Sequence, residues 1–193
     1  MDKDQIIATL VKHYHPLSAA CQEELAAHSK VLVLGKGTQI LREGEYANTV
    51  YYVAKGVARA FYLKNGKDIS DWFAFENDFI CAIDSYFLEI SSPYYIETLD
   101  ASVLLGVHKE QVNQLSDKYR DFDRLGKVIV TKTMLQLQQR IVSMQFETAK
   151  QNYENLLTIR PEITQRIPLT HIASYLGITL ETLSRIRSPK YRI

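Results

Sequence analysis

Thr170-His171-Ile172-Ala173-Ser174-Tyr175-Leu176-Gly177-Ile178-Thr179-Leu180-Glu181-Thr182-Leu183-Ser184-Arg185-Ile186 is the stretch that decides how this 193-residue chain is read. Pro168 stands at a helix start, and Leu169 to Leu176 carries a helical pattern. Gly177 punctuates it. Thr179 to Arg187 reads as a second helix with Thr179 as its cap. Two short helices joined by a tight turn containing Gly predict a helix-turn-helix. Ile172, Leu176, Ile178 and Leu183 form the expected small core between them. Ala173 is small enough for the second helix to pack closely, and Gly177 permits the positive φ of the turn.

The outer side of the second helix is then Leu180, Glu181, Ser184, Arg185 and Arg187 or Lys190. Arg binds guanine through two parallel hydrogen bonds, Glu accepts from the cytosine amino group, and Ser or Thr binds phosphate. Glu181 and Arg185 are four apart and share a face, so they can support each other and read adjacent bases. The Thr179 hydroxyl can cap the helix or reach a phosphate. An ordinary Glu–Arg surface pair on a helical hairpin is the plainer reading. Charge leans toward nucleic acid: residues 1–115 hold 10 Lys/Arg against 15 Asp/Glu, and residues 116–193 hold 13 against 7.

Upstream, three textures follow one another. Ile6, Ile7, Leu10 and Val11 share a helical face that Pro16 ends, and residues 17–28 read as a second short helix starting at Ser18. Residues 30–108 read as strands: Val31–Leu34, Thr38–Leu41, Val50–Ala54, Val57–Leu63, Lys67–Phe73, Tyr94–Thr98 and Val103–Val107. Asn65-Gly66 is a strong two-residue hairpin signal. Many short strands with Gly-marked turns suggest a barrel, roll or sandwich. After His108 the pattern turns helical. Val130, Met134, Leu137, Ile141 and Met144 make one apolar stripe, and Leu125, Val128, Leu135 and Val142 make another. A helix of ~25–30 residues outreaches a small barrel, at ~1.5 Å per residue. A second subunit is therefore the expected partner, through Leu125, Val128, Leu135 and Val142. Arg160-Pro161 closes the next helix, Ala149–Leu157, and Ile159–Ile167 leaves room for a short wing.

Composition excludes several classes. Hydrophobic residues are 46% and charged residues 23%, ordinary for a globular chain. No apolar run approaches the ~20 residues of a membrane span, and no leader pattern opens the chain, so a cytoplasmic location is expected. Two cysteines, Cys21 and Cys81, cannot build a disulfide scaffold or a four-thiolate metal site. His13 and His15 read as plain surface.

The chain from about residue 25 onward resembles the catabolite activator/fumarate–nitrate regulator (Crp/Fnr) family of bacterial transcription factors. The resemblance is carried by Gly35-Lys36-Gly37-Thr38, Arg42-Glu43-Gly44-Glu45, Val50-Tyr51-Tyr52-Val53-Ala54-Lys55-Gly56, Asn77-Asp78-Phe79-Ile80 and, most specifically, Leu176 to Arg185. It implies an α+β fold: a cyclic-nucleotide-binding-like β-roll with N-terminal helices (1–115), a long dimerisation helix (116–147) and a winged helix-turn-helix-type DNA-binding domain (148–193). It implies that Glu181 and Arg185 read bases, while Thr179, Thr182 and Ser184 touch phosphate or base edges. The implied partners are double-stranded DNA with a two-fold operator, a second copy of the chain, and RNA polymerase.

The ligand end departs from the family pattern. Members that bind cyclic nucleotides carry a Gly-Glu pair near Asp78-Phe79-Ile80 and an Arg-Ser/Thr pair before the next strand. Here those places hold Cys81-Ala82 and Ser91-Ser92-Pro93, and no Arg lies between Arg59 and Arg120. The cyclic phosphate lacks a guanidinium, so cAMP is not expected. No cofactor is expected, and the effector is an unidentified small molecule. Cys81, Ala82, Asp84, Ser91, Ser92 and Tyr94 are candidates to line its pocket. Two other readings compete: a regulatory module that binds ligand or protein but no DNA, and, more remotely, a cupin-type metalloenzyme. The latter needs clustered histidines, and the strand region holds only His108.

Overall fold

In β3 (Thr49–Lys55), Tyr52 and Val53 are both buried yet point to opposite faces, and in β8 (Ser102–His108) Leu104 and Leu105 do the same. Strands buried on both faces require a layer on each side. A computed structural model shows those layers and describes residues 1–188. Lys190, the alternative to Arg187, lies outside the described residues.

Two four-stranded antiparallel sheets face each other. The first runs β1 (Ser29–Leu34), β8, β3, β6 (Phe79–Ile80). The second runs β2 (Gln39–Leu41), β7 (Tyr95–Thr98), β4 (Ala58–Lys64), β5 (Lys67–Ala74). Val53, Leu104, Ile80, Ile96 and Leu41 fill the space between them, together with the small side chains Ala47, Ala58, Ala60, Ala74 and Ala82. The β4–β5 turn is the Asn65-Gly66 hairpin, with φ of 53° and 74°. Positive φ at both positions matches the right-handed twist of the strands.

Tyr52, Leu105 and Val107 cover the outer face of the first sheet with α1 (Lys3–His13), α2 (Ala19–His28), α4 (Lys109–Lys118) and the first turns of α5 (Arg120–Phe146). The helical zone is divided at Tyr119, whose backbone is extended. Packing at the start of α5 corrects one expectation. Leu125, placed by the sequence in a stripe facing a second subunit, is 3% exposed and belongs to the core formed by Phe122, Leu115 and the N-terminal helices. That turn of α5 completes the layer over the sheet. Val128 is half-buried, whereas Leu135 and Val142 are exposed.

Past α5 the head is α6 (Ala149–Ile159), α7 (Ile163–Arg166), α8 (Leu169–Tyr175) and α9 (Leu180–Arg187). Among the described residues no strand follows β8, and the stretch that left room for a wing holds a turn and the short helix α7 instead. Ile163 and Ile167 are four apart, and both are buried on the head's inner face, which is the helical period. Two further short elements, β6 and α3 (Ile83–Leu88), lie where the strand pattern lapses. Among the described residues no helix is long and apolar enough to cross a membrane.

Candidate nucleic-acid interface

Leu183, fully buried, anchors α9 against Ile172, Ala173 and Ile163. The turn before it is closed by two backbone bonds. The Gly177 N–H donates to the Ser174 carbonyl, and the Ile178 N–H to the Ala173 carbonyl, both at 3.0 Å. Gly177 has φ of 68°, the left-handed value this helix ending needs. Thr179 then opens α9, its Oγ1 accepting from the Thr182 N–H at 3.2 Å.

With Leu183 held inward, the opposite face is free. Thr179, Leu180, Glu181, Ser184, Arg185 and Arg187 are exposed, and Thr182 is half-buried beside the cap. The guanidinium groups of Arg185 and Arg187 make no hydrogen bond or ion pair among the described residues. Glu181 is held below the usual carboxylate range by backbone and Thr179 hydrogen bonds, with a smaller contribution from Arg185. The face therefore offers cations, a carboxylate and hydroxyls together.

The head is joined to the roll by arginines. Arg59 in β4, only 2% exposed, holds Asp68 through both carboxylate oxygens at 2.7 and 2.9 Å and Glu97 through Nε at 3.0 Å. Its Nη1 also lies 2.8 Å from His171 Nδ1 in α8. Arginine has no acceptor, so this contact favours a neutral imidazole with Nδ1 as the acceptor. Burial and the Arg59 charge both lower the His171 pKa. Beside this contact, Ser174 Oγ accepts from the Ser70 N–H and donates to the Asp68 carbonyl, each at 3.0 Å. Arg166 grips both oxygens of Glu76 at 2.8 Å and also binds Asp100 at 2.9 Å. Arg160 pairs with Asp78 at 2.8 Å. Val57, Phe73, Phe75 and Leu99 of the roll share one apolar core with Ile163, Ile172 and Leu183 of the head.

Sequence reasoning gave Arg59 and His171 no role of their own. Arg59 entered only as the last arginine before Arg120, and His171 only as part of the motif. Its position in Val57-Ala58-Arg59-Ala60-Phe61, a charge within an apolar strand, was the available signal.

The pocket candidates are spread unevenly. Ala82 is buried at the start of α3, and Ser91 is an exposed loop residue. Ser92 is buried, and its hydroxyl bonds the Tyr94 backbone at 3.0 Å on both sides. Burial raises the Cys81 thiol to about 11, far from a thiolate. Asp84 and Tyr94 lie in one electrostatic neighbourhood with Asp71, whose own pKa is raised by burial and by Asp84 against the pull of Arg140.

Residues 31–119 match the cyclic nucleotide-binding domain family. Several solved structures share the architecture. The c-di-GMP-responsive global regulator CLP of Xanthomonas campestris is 18% identical, with a TM-score of 0.68 over 88% of this chain and 89% of that one. FixK2 of Bradyrhizobium japonicum is 20% identical, with a TM-score of 0.66 over 82% of each chain. A Crp/Fnr-family regulator of Eubacterium rectale is 17% identical, with a TM-score of 0.68 over 88% of this chain and 82% of that one. No curated protein matches the chain. The fold is a cyclic-nucleotide-binding-type roll joined by a long helix to a helix-turn-helix head. The solved structures named above share this fold, and residues 31–119 match the cyclic nucleotide-binding domain family.

Proposed function

We propose that the chain is a homodimeric, sequence-specific DNA-binding transcription regulator whose roll senses a small molecule other than cAMP. The observation that carries this is the outward face of α9, where Glu181, Ser184, Arg185 and Arg187 stand exposed while Leu183 fixes the helix from behind. Thr179 and Thr182 at its N-terminal end supply phosphate contacts, where the helix dipole favours an anion. Dimerisation is supported by α5: Val130, Met134, Ile141 and Met144 are exposed and continue one stripe with Leu137, flanked by Leu135 and Val142. A second copy covering that stripe presents two α9 helices to half-sites ~34 Å apart.

The charges in the roll support an effector other than a cyclic nucleotide, because Arg59 is already engaged by Asp68 and Glu97. A selection from random DNA at ~150 mM salt, where nonspecific phosphate binding weakens, should enrich a two-fold site. Arg185→Ala should lose about 1–3 kcal/mol of discrimination at one base pair per half-site. Unchanged affinity and unchanged sequence preference in Arg185→Ala overturn the assignment.

A further inference from the structure

A cleft of about 300 Å³ opens where four parts of the molecule meet: the end of α1, the roll, one face of α5, and Arg160 at the end of α6. Tyr14, Phe79 and Trp72 line it, with Tyr14 edge-on to Phe79 at 5.4 Å between ring centroids. Lys132, Gln136 and Gln139 line it from α5. They are spaced four and three apart, so they share one face of the helix. At 100° per residue that face is turned well away from Met134 and Ile141, although Leu135 also lines the cleft from the same helix.

The charges in the cleft do not cancel. Arg160 is paired with Asp78, but the Lys132 ammonium has no carboxylate partner among the described residues and lies 4.2 Å from the centroid of the Tyr14 ring. The Gln136 and Gln139 amides make no hydrogen bond among the described residues. The cleft continues under α6 into a second space of about 180 Å³ that Asn152 lines. Asn152 Oδ1 is buried there without a hydrogen-bond partner, so an acceptor stands unused at the inner end.

We propose that this cleft, outside the roll's own interior, binds a small aromatic acid. The flat ring lies against the Trp72, Tyr14 and Phe79 walls, the carboxylate faces Lys132, and Gln136 and Gln139 bond polar ring substituents. Its role as a sensing site rests on the regulatory reading above; the binding itself does not. Because Arg160 belongs to the head and Asp78 to the roll, an occupant touches the joint between them.

Trp72 is the single tryptophan of the chain and reports directly on the cleft. The 193-residue chain, without DNA, is titrated with benzoate, nicotinate and phthalate, and in parallel with cyclohexanecarboxylate and inorganic phosphate. Trp72 emission and calorimetry are the readouts. The expected result is saturable binding of at least one aromatic acid, with cyclohexanecarboxylate and phosphate weaker. Lys132→Gln, a change at an exposed side chain, should weaken that binding about tenfold, the scale of one charge-assisted hydrogen bond. Lys127→Gln, on the same helix but paired with Asp123, should leave it unchanged. No saturable binding by any of the three aromatic acids overturns the proposal. So does equal affinity for phosphate, or affinity unaffected by Lys132→Gln. None of these outcomes touches the DNA selection, so the two readings fail separately.

Discussion

Arg59→Met tests the junction between roll and head most directly. The substitution keeps an unbranched stem but removes the guanidinium, leaving Asp68 and Glu97 without their shared cation and His171 Nδ1 without a donor. Deleting one member of a buried ion cluster costs about 3–5 kcal/mol. Asp68 is 36% exposed at its side chain and recovers hydration, which places this cluster at the lower end, about 3 kcal/mol. In a chain of this length each kcal/mol moves Tm by about 2–4 °C, so the variant should melt roughly 6–12 °C below the parent. Of the Arg59 bonds only the one to His171 crosses to α8, and a hydrogen bond to a charged group is worth about 1.5 kcal/mol. His171→Ala alone should therefore lower Tm by roughly 3–6 °C. In the double variant the His171 change should add nothing, a coupling of about 1.5 kcal/mol. Thermal and urea unfolding near pH ~8, where an ordinary histidine is neutral, measure all four proteins. Arg59→Met melting within about 2 °C of the parent, or strictly additive variants, would refute the reasoning.

Burial works against the Glu76 carboxylate, but the Arg166 and Gly56 hydrogen bonds outweigh it and bring its pKa down from 4.5 to about 2. A depressed folded value contributes stability that is complete above about 4.5 and drains as pH falls toward about 2. Glu76→Gln should flatten that part of the Tm-against-pH curve, and an unchanged curve would count against the Arg166 contact. His171 is also depressed in the docked head, so docking is strongest above its free value of 6.5 and weakens as pH falls below it. Amide exchange in α8, corrected for the intrinsic pH effect, should quicken below that point. Constant protection would mean that His171 does not contribute. Ile141→Glu, in the exposed stripe of α5, should convert a sedimenting dimer to monomer, and an unaltered mass would move the seam elsewhere.

Local rules carried much of the fold. The Asn65-Gly66 hairpin, the Gly177 turn and the β-branched, aromatic run of β3 were legible because each is set by neighbouring residues. The α9 face was legible for the same reason: once Leu183 points inward, helical geometry determines which side chains point out. What escaped was non-local. Leu125 has the same chemistry as Leu135, and only the position of α2 and α4 decides that one is buried and the other exposed. Arg59 and His171 are 112 residues apart, and no periodicity links them. The wing was anticipated from available length, whereas the spacing of Ile163 and Ile167 already followed a helix. Ser92, a pocket candidate by position, is engaged by the backbone of its own turn.

The apolar core that runs unbroken from Phe73, Phe75 and Leu99 into Ile163, Ile172 and Leu183 bears on how such a molecule can be recombined. A head of this kind is not an interchangeable cassette. Grafting residues 148–193 of a relative onto this roll would set foreign side chains against Phe73 and Phe75 and leave Arg59 facing whatever replaced His171. A working chimera must carry the β4–β5 surface along with its head. A change at Arg59 or at His171 alone breaks the contact between them, though neither lies on the outward face of α9.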